Sequence, residues 1–183
     1  VILLRSLDNL PEKLRHGAVS IGNFDGVHRG HVKLIETLLA EARALDGPAV
    51  VFTLDPHPAS VLRPEQTPPP LSWTEQKAQL LGELGVDAVI AYPTDRALLR
   101  LNADVFFEQI IVDRLAARAM VEGPNFFFGH NRSGNLDVLG RLCREAGIIL
   151  KVADTQRFEG QIVSSSRVRR LVVEGTLEQA NRL

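Results

Sequence analysis

Five stretches of the chain are apolar at consecutive positions rather than at alternate ones: "AVSI" at 18–21, "AVVFTL" at 49–54, "AVIAY" at 88–92, "RAMVEG" at 118–123 and "IILKVAD" at 148–154. Short runs without a two-residue alternation predict strands buried on both faces. Between them the apolar positions recur at helical spacing. Leu34, Ile35, Leu38, Leu39 and Ala42 form one stripe, with Lys33, Glu36 and Glu41 on the other side. "TEQKAQLLGELG" at 74–85, with Gly85 as its stop, and "ADVFFEQIIVDRLAA" at 103–117 repeat the pattern. Strand followed by helix, several times over, predicts an α/β fold: a parallel sheet with right-handed crossovers and helices on both faces. At 183 residues one domain suffices, spanning 1–183.

Two interruptions stand out. "RPEQTPPP" at 63–70 carries four prolines, which remove backbone donors and fix φ, so it predicts an exposed, semi-extended loop. "SSSRVRRLVVEG" at 164–175 predicts a capped helix ending at Gly175, with Val168, Leu171 and Val172 on its apolar face. "TLEQANRL" then starts another, with Thr176 and Gln179 spaced as a capping box. That last helix has barely two turns, which leads to the expectation that the parent protein continues.

Composition narrows the function classes. Hydrophobic residues are 45% and charged residues 23% of the chain, as in a folded globular protein. Twenty-one Lys and Arg against 22 Asp and Glu leave a net charge of -1, so no whole-molecule field draws the protein to nucleic acid or to an anionic membrane. Any anion site must be local. The single cysteine, Cys143, sits in an apolar pattern and has no internal partner, so a buried thiol in a cytoplasmic protein is expected. "VILLRS" is too short for a signal-peptide core, and no apolar run approaches about 18 residues, so a soluble protein is expected.

In an open parallel sheet, ligands bind beyond the carboxyl ends of the strands. Four polar or glycine-rich clusters follow strand-like runs: "GNFDGVHRGH" at 22–31, "TLDPHP" at 53–58, "GPNFFFGHNRSG" at 123–134 and "SSSRVR" at 164–169. They are therefore expected on one rim. In the first, Gly22, Gly26 and Gly30 suit tight turns with positive φ and close backbone approach, and the helix starting near Gly30 points free N–H groups and its positive dipole end outward. His28 and His31 on its first turn can each donate to a phosphate oxygen as charge grows on a leaving pyrophosphate. A zinc site of Asp25, His28 and His31 is weaker, because the partners of known zinc signatures are absent. Neither the dinucleotide G-x-G-x-x-G nor the P-loop is present, which argues against a hydride enzyme and a P-loop kinase. In "SSSRVR" one serine caps the helix, and an arginine is free to meet the same anion. Asn125 and Arg132 are the polar members of the third cluster, while Phe126 to Phe128 alternate across a strand end. "DPHP" predicts a stiff, extended loop.

These residues resemble the FMN adenylyltransferase module of the prokaryotic bifunctional FAD synthases, within the nucleotidyltransferases that share an H-x-G-H signature. Here that signature is His28-Arg29-Gly30-His31, and "SSSRVR" is similar to the class's Ser-Ser-Thr-x-x-Arg, with Ser164, Ser165 and Arg169 in register and Ser166 in place of threonine. "TLDPHP", "EGPNFFFGHNRSG" and "TLEQANRL" also resemble family blocks, with Leu54 and Phe127 as departures, so the likeness runs from about Gly17 onward. The resemblance implies a Rossmann-like sheet of the nucleotidyltransferase type and the reaction of ATP with FMN, with magnesium, to give FAD and pyrophosphate. It implies that His28, His31 and Arg169 are catalytic, with Arg169 and Ser164, Ser165 and Ser166 clamping the distal phosphates. Gly22, Asn23, Phe24, Asp25 and Gly30 would form the ATP loop, Asp25 by orienting it. Pro56, His57, Pro58, Asn125 and Phe128 would meet the flavin. A C-terminal riboflavin kinase module belongs to full family members, and its sequence is not found in these residues. A sister adenylyl- or cytidylyltransferase with another phosphate acceptor, or a non-catalytic flavin or nucleotide sensor, are the alternative readings.

Overall fold

The computed structural model describes residues 1–183. Six strands, β1 (Ile2–Leu4), β2 (Ala18–Ile21), β3 (Ala49–Asp55), β4 (Ala88–Pro93), β5 (Ala119–Glu122) and β6 (Ile149–Val152), form one sheet in the order β1-β4-β3-β2-β5-β6. Every neighbouring pair is parallel. From β2 the chain winds outward through β3 to β4, then returns to the other side of β2 for β5 and β6. The reversal lies between β2 and β5, where a doubly wound sheet opens its binding crevice.

The helices are α1 (Arg29–Ala44), α2 (Pro58–Leu62), α3 (Thr74–Glu83), α4 (Ala103–Phe106), α5 (Leu136–Glu145), α6 (Ser165–Val173) and α7 (Leu177–Asn181). α4 runs on into a π-helical stretch, Phe107–Arg114. Along the central strands, alternate residues serve opposite faces. Ala49 and Val51 pack against Ile35 and Leu38 of α1 and Leu81 of α3. Val50 and Phe52 pack with Phe106, Ile110 and Ile111 of the α4 segment and Leu139 of α5. Each fully buried side chain of this size contributes roughly 1.5–3 kcal/mol, so the two cores hold the rim rigidly. A small third cluster of Val163, Leu171 and Leu183 joins α6 and α7, beside a hairpin of β7 (Arg157–Phe158) and β8 (Gln161–Ile162).

Five predicted strands are present, and helices cover both faces. The differences have physical reasons. β6 is an edge strand, with Ile149 and Val152 exposed at 42% and 48%, so its apolar run does not mark burial on both faces. β1 escapes the sequence pattern because three residues at the other edge leave no periodicity to read. "DPHP" is not wholly extended: His57 caps the one-turn helix α2, its Nδ1 accepting from Ala59 N at 3.0 Å, and Pro58 takes the first helical position. The capping box at Thr176 does not form, because its Oγ1 donates to Leu171 O at 3.0 Å instead. Val172 is exposed, leaving Leu171 as the buried residue of α6. The 63–70 segment is a mostly exposed loop with a single 3-10 turn at Pro64–Gln66. No helix is long and apolar enough to cross a membrane.

Candidate nucleotide site

The first cluster leaves β2 and enters α1 through a loop whose left-handed positions are Phe24 (φ 47°), Gly26 (φ 80°) and Val27 (φ 40°). Of the three glycines expected to supply positive φ, only Gly26 does so. Left-handed backbone at Phe24 and Val27 is unfavourable, and such residues persist where surrounding contacts over-determine them. Those contacts converge on Asp25. Its carboxylate accepts from Leu71 N at 3.0 Å, from Ser72 N at 3.1 Å and from Ser72 Oγ, and pairs with the Arg169 guanidinium. Desolvation pushes this carboxyl up, but the backbone donors and Arg169 outweigh it and hold it below the usual carboxylate range.

His28 is the N-cap of α1, and its Nδ1 accepts from His31 N at 3.3 Å. With Nδ1 as acceptor, the neutral ring carries its proton on Nε2, a donor left for a ligand. The His31 ring stacks on it with centroids 3.7 Å apart and planes 11° apart, and Phe24 packs against His31 at 5.1 Å. Burial lowers His28 to about 4 and pushes His31 well below the usual imidazole value, so both rings are uncharged at neutral pH. They are neutral donors, not imidazolium ions. Gly30 matters by closeness: a Cβ there would lie 3.1 Å from the His28 ring and 3.3 Å from Val163 O. The glycine of H-x-G-H thus lets the histidine lie flat against its own helix.

His28, Gly30 and His31 line a cavity of about 280 Å³ together with Gly22, Phe24, Asn125 and Val163. Glu122, Phe126 and the 153–156 segment complete its wall; the sequence pattern gave no signal for them, because they sit in an apolar strand, behind an aromatic run and in an unmarked loop. Of the proposed flavin residues, Asn125 is therefore beside the histidines. Pro56, His57 and Pro58 follow β3 on the other side of β2, where His57 Nε2 meets the Asn23 side-chain amide at 2.9 Å. Desolvation, with Arg169 nearby, lowers His57 as well.

Phe128, expected to meet the flavin, is buried and outside the cavity wall. It is 8% exposed, bridges backbone to backbone with Gly134, and packs on Phe106 and Phe126, so it is a core residue. Of the three phenylalanines at 126–128, Phe126 is the one that lines the cavity. The Phe126 and Phe128 rings stack on one side and Phe127 lies exposed on the other, its ring centroid 4.1 Å from the Arg132 guanidinium, so the three phenylalanines alternate as expected. Arg132 itself is not part of the cavity wall.

The serine cluster meets the first cluster directly. Ser164 caps α6 by accepting from Arg167 N, Ser165 Oγ donates to Asp25 O at 2.9 Å, and Ser166 is exposed. Arg169 donates from Nε to Pro69 O at 2.8 Å and from Nη2 to Asp25, and its side chain is 14% exposed. It does not line the cavity. In this conformation it fixes the loop that carries the histidines. No group of three or more His, Cys, Asp or Glu is placed to hold a metal ion, and Asp25 is engaged away from His28 and His31.

An open parallel sheet with its crevice at the β2/β5 reversal, a helix N-terminus and paired neutral imidazoles in one cavity define an α/β fold of the nucleotidyltransferase type. The comparisons give the family. The FAD synthetase family pattern matches residues 10–167, and the chain belongs to that family. It is 35% identical over 99% of its length to the bifunctional riboflavin kinase/FMN adenylyltransferase of Pseudomonas fluorescens, and 34% identical over 99% to that of Escherichia coli strain K12. The chain spans 58% of the length of each. A crystal structure described as a macrolide-efflux protein from Streptococcus pneumoniae superposes with a TM-score of 0.86 over 100% of this chain and 68% of its own. At 22% identity that likeness shows the fold.

Proposed function

We propose that the chain transfers AMP from ATP to FMN, giving FAD and pyrophosphate, and that the cavity beside His28 and His31 receives the nucleotide. A phosphate oxygen of FMN attacks the α-phosphorus of ATP in line. The new O–P bond forms as the bond from the α-phosphorus to the bridging oxygen breaks, and pyrophosphate leaves with the electron pair. No enzyme group becomes covalently attached, so the protein contributes positioning and charge stabilisation. The His28 Nε2–H donates to the phosphate chain at the positive end of α1, while His31, stacked on His28, fixes its plane. Magnesium comes with the triphosphate as its counter-ion.

Asp25 orients the loop, and Arg169 serves the site by holding Asp25, with Ser165 as a second tie. For Arg169 to clamp the distal phosphates it must first release Asp25 and Pro69. Gly22 and Phe24 form the strand-side wall, Asn23 meets His57, and the acceptor flavin lies toward Pro56, His57 and Pro58 with Asn125 on the nucleotide side. The observation that carries this reading is the His28 ring, its Nδ1 satisfied by the backbone and its Nε2 left as a neutral donor in a cavity at a helix N-terminus. Incubation with ATP, magnesium and FMN, followed by chromatography, tests it. FAD and pyrophosphate in equal amounts are expected; FMN recovered unchanged contradicts it. A parallel tube with riboflavin reports whether the chain also phosphorylates the vitamin, and a panel of other phosphate acceptors identifies a sister transferase.

A further inference from the structure

Glu122 is the last residue of β5 and is 1% exposed. β2 and β5 pair only at Ala18↔Ala119 and Val19↔Met120, whereas β2 continues along β3 to Ile21↔Phe52 and β5 along β6 to Glu122↔Val152. The two central strands therefore part beyond Val19 and Met120, where the winding of the sheet reverses. The Glu122 side chain reaches across that split, and Oε1 accepts from Ile21 N at 2.8 Å. Nothing in the protein bonds Oε2, no Lys, Arg or His pairs with the carboxyl, and the residue forms part of the cavity wall with His28 and His31. His31 Nδ1 is a buried polar atom without a protein partner at the same cavity.

A polar atom buried without a partner is costly, and native structures keep few of them without a reason, so the His31 nitrogen marks the cavity as a place for a polar ligand, beside the Glu122 oxygen that no protein atom bonds. With no cation to balance it, a carboxyl this deep keeps its proton; desolvation holds Glu122 well above the ordinary carboxylate range. The groups around it supply no compensating positive charge. β2 offers Ile21 N, α1 offers two neutral imidazoles, the loop after β6 brings Asp154, and α5 brings the Cys143 thiol, which burial and then Glu122 itself push up to about 12. One oxygen thus accepts from the sheet, and the other is a hydroxyl without a protein partner.

We propose that Glu122 is a nucleotide-contacting residue whose Oε2 hydroxyl donates a hydrogen bond to an acceptor atom of the nucleotide in the cavity. The inference rests on the reading of that cavity as the ATP site. It makes Glu122 a specificity determinant that works only while uncharged, because an ionised carboxylate would meet the negative charge of the triphosphate. ATP affinity then falls as the pH rises through the titration of Glu122.

Calorimetric titration of the intact chain with magnesium-ATP, pyrophosphate and adenosine, at neutral and alkaline pH, tests this with two variants. Glu122→Gln keeps an acceptor for Ile21 N and an uncharged donor on the other atom. It should bind ATP within about threefold of the native protein and lose the alkaline weakening. Glu122→Met removes the donor and should weaken ATP about tenfold, the size of one lost hydrogen bond, with FMN affinity unchanged as evidence that the fold persists. If the loss appears with pyrophosphate, the acceptor is on the phosphate chain; if with adenosine, it is on the nucleoside. Unchanged ATP affinity in Glu122→Met overturns the proposal. So does a Glu122→Gln variant as weak as Glu122→Met with a raised magnesium requirement, which would make the carboxylate a metal ligand. ATP binding by the native chain without FAD formation would contradict the FMN reading alone and leave these outcomes readable.

Discussion

Asp25 and Arg169, 144 residues apart in sequence, form an ion pair that joins the two signature segments of the chain. The same carboxylate takes the N–H groups of Leu71 and Ser72, so the histidine loop, the stretch before α3 and the start of α6 meet on one side chain. The pair is largely buried, at 9% and 14% side-chain exposure. Removing one partner of such a pair leaves the other charge unpaired in a poorly solvated place, which typically costs about 3–5 kcal/mol.

Asp25→Ala should therefore lower stability by about 3–5 kcal/mol in urea denaturation. Arg169→Ala should show a similar loss, and the double variant should lose clearly less than the sum. Additive losses would mean that the two residues act independently.

Gly30→Ala tests the close approach. Alanine is the better helix former by about 1 kcal/mol, so helix propensity favours the change. The His28 ring, 3.1 Å from the new Cβ, must nevertheless shift against a Val163 carbonyl that leaves little room. A small displacement of a catalytic group can cost about 100-fold. Turnover is expected to fall by roughly 10- to 100-fold with the circular dichroism spectrum unchanged; full activity would remove the reason given for this glycine.

Stability should respond to pH on both flanks. A histidine whose folded value is lowered binds fewer protons when folded than when unfolded, so its contribution is present above the ordinary 6.5 and is lost as the pH falls through the folded value. For His28 that window runs from 6.5 down to about 4. Glu122 acts in the opposite sense. Its raised value means that the folded state keeps a proton the unfolded chain releases, so its contribution is full below the ordinary 4.5 and is lost as the pH rises through the folded value. Thermal unfolding across pH should show both slopes, with His28→Asn reducing the acid one and Glu122→Gln the alkaline one. Unaltered slopes in the two variants would contradict the assignment.

Phe128→Ala should destabilise the protein by about 3–5 kcal/mol, the usual cost of emptying a buried phenylalanine site. The KM for FMN should stay near the native value. A rise in that KM at unchanged stability would return Phe128 to the flavin pocket.

The sequence made the framework legible where burial is extreme. Ala49–Phe52 and Ala88–Ala91 are covered on both faces, so their apolar runs are unbroken, and α1 shows its stripe because one side packs on Val51 while Glu36 faces water. The site was legible where chemistry needs unusual residues: paired histidines, a close-packed glycine, a serine cap. Three features left no local trace. Arg169 reads as a phosphate clamp, and its pairing with Asp25 leaves no mark in the sequence. Phe126 and Phe128 share one side of their segment, and spacing alone does not tell which of them reaches the cavity. Glu122 hides at the end of an apolar strand, and only the parting of β2 from β5 gives its carboxyl somewhere to go.

The central claim is that His28 acts on the phosphate chain at the moment of transfer and not on the flavin. The direct measurement is the turnover of FAD formation by His28→Ala beside its FMN affinity, read from the flavin's own fluorescence. Loss of one such donor predicts a fall in kcat of about 100- to 1,000-fold with FMN Kd essentially unchanged. Native turnover, or a loss of FMN binding as large as the loss of rate, would contradict it.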